Sequence, residues 1–152
     1  MNYTFKTTDN IELSWGTSKI LNIADGFSSE EEVKIRGQIL TLFGEPLQTS
    51  PDLEAAYNYV IIATNENGEE TLLTLYGGPT GAAIGGKFLH DYETAEEYEQ
   101  NNQKNLKIAQ VLKDYVKQAE ASDFEYVGEY EGMLKIVQKI ENGVISYSET
   151  PI

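Results

Sequence analysis

Between Phe124 and Tyr147 three short β-rich runs are joined by links of only two or three residues, Glu131-Gly132 and Glu141-Asn142-Gly143. Links that short connect antiparallel neighbours only, because a parallel pair needs a crossover of a dozen or more residues. Asn-Gly is also the strongest short hairpin signal, since a type I′ turn needs positive φ at both central positions. The runs Phe124 to Tyr130, Met133 to Ile140 and Val144 to Tyr147 therefore predict a three-stranded meander. The pattern recurs upstream. Tyr57 to Ala63 and Thr71 to Tyr76 are rich in aromatic and β-branched residues and flank the turn Asn65-Glu66-Asn67-Gly68. At the N-terminus, Tyr3 and Phe5 face Ile11, Leu13 and Trp15 across Thr8-Asp9-Asn10, which predicts a hairpin. Ile20, Leu21 and Ile23 predict a further short strand before Asp25-Gly26, and Lys87 to His90 another.

Two segments carry helical spacing instead. Ser28 and Ser29 precede Glu31 and Glu32 by three residues, as in a capping box, and Glu30, Glu31 and Glu32 suit the positive pole of a helix. Val33, Arg36, Gly37, Leu40 and Phe43 then share a face, broadened by Ile35, Ile39 and Leu42, until Gly44 and Pro46 stop the helix. The second helix opens on Thr94 and Glu97 and buries a stripe from Leu106 to Ala119, with a predicted weak point at Asn101-Asn102-Gln103.

The expected fold is α+β: an antiparallel sheet of six to eight strands with two main helices on one face, in the order ββ-α-ββ(β)-α-βββ. A length of 152 residues, 40% hydrophobic and 24% charged, fits one globular domain spanning residues 1–152. No apolar run approaches the roughly 20 residues of a membrane helix, and Met1 to Lys6 lacks a signal-peptide stretch, so a cytoplasmic protein with no membrane association is expected. With no cysteine, disulfide and thiolate chemistry are excluded.

The net charge of −14 is uneven. Residues 61–103 hold eight acids and one base, half of the net charge on under a third of the chain. Such a surface repels nucleic acid and anionic membranes and attracts a basic protein. A solvated acidic face without partner is the plain alternative.

The motifs of catalysis do not hold up. Gly81 to Lys87 matches the opening of a phosphate-binding G-x-x-x-x-G-K loop, but Phe88 stands where Ser or Thr would hold Mg²⁺, and no helix start follows. The Gly77 to Gly86 stretch reads better as a loop of small residues open to a partner's side chain. His90-Asp91 has no nucleophile motif beside it. The acids from Asp91 to Glu99 lack calcium-loop spacing, and no second histidine offers a zinc site. No cofactor, metal or catalytic residue is assigned.

Tyrosines recur beside acids: Asp91-Tyr92-Glu93, Glu97-Tyr98-Glu99, Glu125-Tyr126 and Glu129-Tyr130-Glu131. Carboxylates accept bidentate bonds from Arg, and Tyr is a rigid contact with a polar tip. Asp91, Tyr92, Glu93, Glu96, Glu97, Tyr98 and Glu99 are the candidate partner-binding residues. In size, charge, the Phe43-Gly44-Glu45-Pro46 helix stop and the Gly77 to Gly86 stretch, the chain resembles the small acidic immunity proteins of bacterial polymorphic-toxin systems. That resemblance is of type and carries no functional residue across. It implies an inhibitor that binds a cognate toxin domain, often a basic nuclease, and occludes its active site. An adaptor or homo-oligomer using an exposed sheet edge, and a small acid-based enzyme, are the alternatives.

Overall fold

The computed structural model describes residues 2–9, 17–25, 30–46, 48–49, 57–78, 81–87 and 94–152. They form strands β1 (Thr4–Thr8) and β2 (Thr17–Asp25), helix α1 (Glu30–Phe43), and strands β3 (Gln48–Thr49), β4 (Tyr57–Thr64), β5 (Glu70–Gly78) and β6 (Gly81–Lys87). Helix α2 (Ala95–Gln118) and strands β7 (Phe124–Tyr130), β8 (Leu134–Glu141) and β9 (Val144–Pro151) follow. The fold is α+β and every described strand pairing is antiparallel. The strands divide between two sheets. The larger has the order β1-β4-β5-β6-β2, with β3 also on β4; the smaller is the meander β7-β8-β9.

The period-2 pattern of β4 decides which face of the large sheet is the core. Tyr57, Tyr59, Ile61 and Ala63 are buried on one side, and the register sets Leu75 and Leu73 opposite Tyr59 and Ile61. Ile35 and Ile39 of α1 and Ile108, Ala109, Leu112 and Val116 of α2 close over that face. Each such aliphatic side chain removed from water contributes about 1.5–3 kcal/mol. Phe5 extends the layer to the sheet edge, stacking on Tyr115 with centroids 5.5 Å apart.

Helix α1 is enclosed on two sides. It packs on β2 and β6 of the large sheet and on β8 and β9 of the small one. A helix against one layer keeps a polar face for water, but here Glu32, Arg36 and Gln38 are buried with the apolar residues. Their hydrogen bonds must therefore be internal. Gln38 Nε2 donates to the carbonyls of Lys117 (3.0 Å) and Ala119 (2.8 Å), satisfying acceptors that the end of α2 leaves open.

Close approach of the layers makes Gly37 necessary. A Cβ there would stand 2.7 Å from Ile140 Cδ1 and 2.9 Å from the carbonyl oxygen of Ser122, whose N–H donates to Gly37 O at 3.0 Å. Helix propensity alone favours alanine over glycine by about 1 kcal/mol. Gly37→Ala is nevertheless expected to destabilise by about 1–3 kcal/mol, the cost of overpacking, because a backbone oxygen cannot swing aside. A urea midpoint equal to or above the wild type's would show that the layers part easily.

The meander is as the sequence predicts. Asn142 and Gly143 have φ of 51° and 77°, and the Asp123 carboxylate accepts both of their N–H groups at 2.8 and 3.2 Å. Three expectations need correction or lie beyond the description. The described partner of β1 is β4, while Ile11, Leu13 and Trp15 lie outside the described residues. The described part of the Gly77 to Gly86 stretch is strand, not loop: Gly77 and Gly78 end β5, and residues 81–86 form most of β6, while Pro79 and Thr80 lie outside the described residues. Gly86 is there because Ile20 and Asn105 crowd the space a side chain would fill. Helix α2 also runs unbroken through Asn101-Asn102-Gln103, where Asn101 Nδ2 bonds the carbonyl of Glu97 at 2.9 Å.

Candidate functional site

The predicted acidic site falls at the start of α2. Thr94 caps the helix, its Oγ1 accepting the Glu97 N–H at 3.0 Å. Glu96, Glu97 and Glu99 are exposed. Among the described residues none of the three joins an ion pair; the pairs that form are Lys117–Glu31 (3.6 Å), Lys139–Glu125 (3.6 Å) and Lys139–Glu141 (3.2 Å). From Thr94 to Lys104 no described side chain is fully buried, and the first that is belongs to Asn105. At 1.5 Å per residue this stretch is ~15 Å of helix in which no described side chain belongs to the core. Asp91, Tyr92 and Glu93 lie outside the described residues, as does the side chain of Tyr98.

A second polar assembly, between the sheets, was not among the sequence candidates. Arg36 (7% exposed) and Glu32 (1%) lie one turn apart on α1 and meet Tyr57 from β4 and Gln138 (0%) from β8. Arg36 Nη1 donates to Gln138 Oε1 at 2.9 Å. The same amide donates from Nε2 to Glu32 Oε2, and Tyr57 OH donates to Glu32 Oε1 at 3.4 Å. Gln138 thus relays between the cation and the acid. Aromatic rings cover the guanidinium: Cζ lies 4.1 Å from the centroid of Tyr126, 4.7 Å from Tyr57 and 5.5 Å from Phe124. Such stacking suits Arg, a weakly hydrated planar cation.

No family model, curated protein or solved structure matches this chain. Its chemistry must be argued from the residues themselves.

Burial raises the Glu32 carboxyl to about 7, against the lowering pull of Arg36 and the hydrogen bonds from Gln138 and Tyr57. The Tyr57 hydroxyl is pushed well above its ordinary value by burial and then by Glu32. A raised carboxyl in a cleft is a common mark of a general acid or base, but a base has to come within hydrogen-bond reach of its substrate. Glu32 is enclosed by α1, β4 and β8 and does not line the adjacent cavity. That cavity, about 100 Å³, is lined by Arg36, Leu40, Glu45, Pro46, Tyr57, Tyr59, Phe124 and Glu125. Among the described residues no group of three or more His, Cys, Asp or Glu is placed to hold a metal ion, and no helix is long and apolar enough to cross a membrane.

The sequence offered one signal for this junction. Arg36 sits on the apolar stripe of α1 with Val33 and Leu40, and a cation on a buried stripe needs a buried partner. Nothing in the sequence pointed to Gln138, 102 residues away.

Proposed function

We propose that this chain is a cytoplasmic binding protein of the immunity type, which captures a basic toxin domain and covers its active site with acidic surface. The observation that supports it most is the unneutralised charge. The chain has 25 acids against 11 bases, and Glu96, Glu97 and Glu99 stand exposed on the first turns of α2. A helix start whose described acids face water and pair with no described base is well suited to contact with a cationic surface. Its charge also acts over a Debye length of ~8 Å at physiological salt, raising encounter rates with a cationic surface.

Stopped-flow association with a fluorescent decalysine peptide tests the charge, since any basic protein presents the same sign. The triple variant Glu96→Lys, Glu97→Lys, Glu99→Lys is expected to lower the association rate at low salt by about tenfold or more, with an unchanged thermal midpoint. An unchanged rate would overturn the proposed surface.

Exposed apolar residues favour one competing reading. Val127, Met133, Val144 and Ile152 are all exposed and all belong to the small sheet and its turns. An adaptor or homo-oligomer docking there would associate at a rate that salt hardly changes.

A further inference from the structure

The cavity beside Arg36 has a composition that the acidic surface does not explain. Its wall includes a guanidinium that is 7% exposed and that, among the described residues, donates a hydrogen bond only from Nη1. Arg carries five N–H donors in one plane, and the rings of Tyr57, Phe124 and Tyr126 cover the ion without offering it a hydrogen-bond acceptor of carboxylate strength. The Tyr59 hydroxyl is engaged with Gly44 O at 2.6 Å. Leu40, Pro46 and Phe124 supply apolar wall, while Glu45 and Glu125, both exposed, line the same cavity. A volume of about 100 Å³ is well below the roughly 300 Å³ or more of a small-molecule site. It is the size of one functional group, the kind of pocket that takes a single anchoring side chain of a protein partner.

We infer that this cavity is an anchor pocket for one carboxylate of the partner, an Asp or Glu side chain flanked by basic residues. The carboxylate would take the unused N–H fork of Arg36 in the bidentate geometry that Arg favours. The flanking Lys or Arg would meet Glu45 and Glu125. A lone anion gains less, because those two acids and the net charge of −14 oppose it. The inference rests on the reading of the chain as a binder of basic protein, and it adds a specificity that charge alone lacks. A generic polycation has nothing to place on Arg36.

The test uses the whole chain, ¹⁵N-labelled, with three probes: the capped tripeptides Lys-Asp-Lys and Lys-Asn-Lys, and acetate. Lys-Asp-Lys is expected to shift the Arg36 Nε–Hε signal and the amides of Leu40, Glu45 and Glu125, with a Kd in the range of ~1 mM. Lys-Asn-Lys should bind at least about tenfold more weakly, the worth of a charge-assisted pair. Acetate should displace Lys-Asp-Lys. Arg36 also holds the fold together, so the decisive variants are elsewhere on the wall. Leu40→Trp should fill the cavity and abolish the Arg36 signal change. Glu45→Gln with Glu125→Gln should weaken Lys-Asp-Lys while strengthening acetate binding, since the two acids that repel a lone anion are then neutral. Equal affinity for the two tripeptides, or signal changes confined to the start of α2, would overturn the pocket while leaving the acidic surface standing. Absence of any binding by Lys-Asp-Lys would overturn it as well. Loss of decalysine steering in the triple lysine variant, measured separately, reports on the surface alone.

Discussion

Arg36→Met, measured at about pH 8 where the Glu32 carboxyl is ionised, is expected to lower the stability of the fold by about 3–5 kcal/mol, the range for removing one partner of a buried charged pair. Methionine keeps much of the length and apolar stem of arginine, so little of the loss would be cavity. What goes is the cation over Tyr57, Phe124 and Tyr126, the donor to Gln138 Oε1, and the charge that opposes the desolvation of Glu32. Gln138 Oε1 would be left buried without that bond, at a cost of about 1–3 kcal/mol by itself. The groups act as a unit, so the second half of the prediction is non-additivity. Adding Glu32→Gln to Arg36→Met should recover about half of the loss, because the orphaned acid is then removed. Urea unfolding followed by far-UV circular dichroism measures both, with an unchanged m-value showing that the native state is still compact. A loss below about 1 kcal/mol, in the range of an exposed ion pair, would mean that the junction is open to water and does not join the sheets.

How much of this was legible in the sequence follows from the range of each interaction. The meander turns at Asn142-Gly143 and the cap at Thr94 are decided by residues within four positions of each other, and the structure bears both out. The apolar spacing of α2 is equally local, and it buries Ile108, Leu112 and Val116 as expected but leaves Val111 and Tyr115 of the same stripe exposed. What local patterns do not encode is how the layers stack. The acids at the start of α1 fit a helix dipole, and Glu30 and Glu31 are indeed exposed, yet Glu32 is buried because the small sheet covers that side of the helix. Gly37 reads in the sequence only as one position on the apolar face, and its meaning comes from Ile140 and Ser122, far along the chain. The glycines from Gly81 to Gly86 suggested a loop because glycine is depleted in strands. The pairing of β6 with both β2 and β5 overrides that preference. Of the proposed binding residues, the exposure of Glu96, Glu97 and Glu99 follows from their place ahead of the first core residue of α2. The anchor pocket depends on contacts between segments far apart in the chain and left one trace, an arginine on an apolar stripe.

The protonation of Glu32 should make the fold weaker as pH rises, against the usual behaviour of a paired carboxylate. Its folded value is raised to about 7 from an ordinary 4.5. Between those values the folded state holds a proton that the unfolded chain has released, so stability falls as pH increases. The contribution is fully present below pH 4.5 and is lost as pH passes through about 7. Each pH interval of one between the two values is worth ~1.4 kcal/mol, so the loss across the window is about 3 kcal/mol. Burial is the cause and Arg36 opposes it, so the sign of the slope reports that desolvation outweighs the ion pair. Comparison with Glu32→Gln isolates the Glu32 contribution, because every other titrating group is common to both proteins. The variant should match the wild type near about pH 5, where both carry a neutral group, and exceed it at about pH 8 by about 2–3 kcal/mol. Parallel stability curves for the two proteins from about pH 5 to 8 would show that Glu32 is ionised throughout, held charged by Arg36. The junction would then be a buried ion pair rather than a protonated relay.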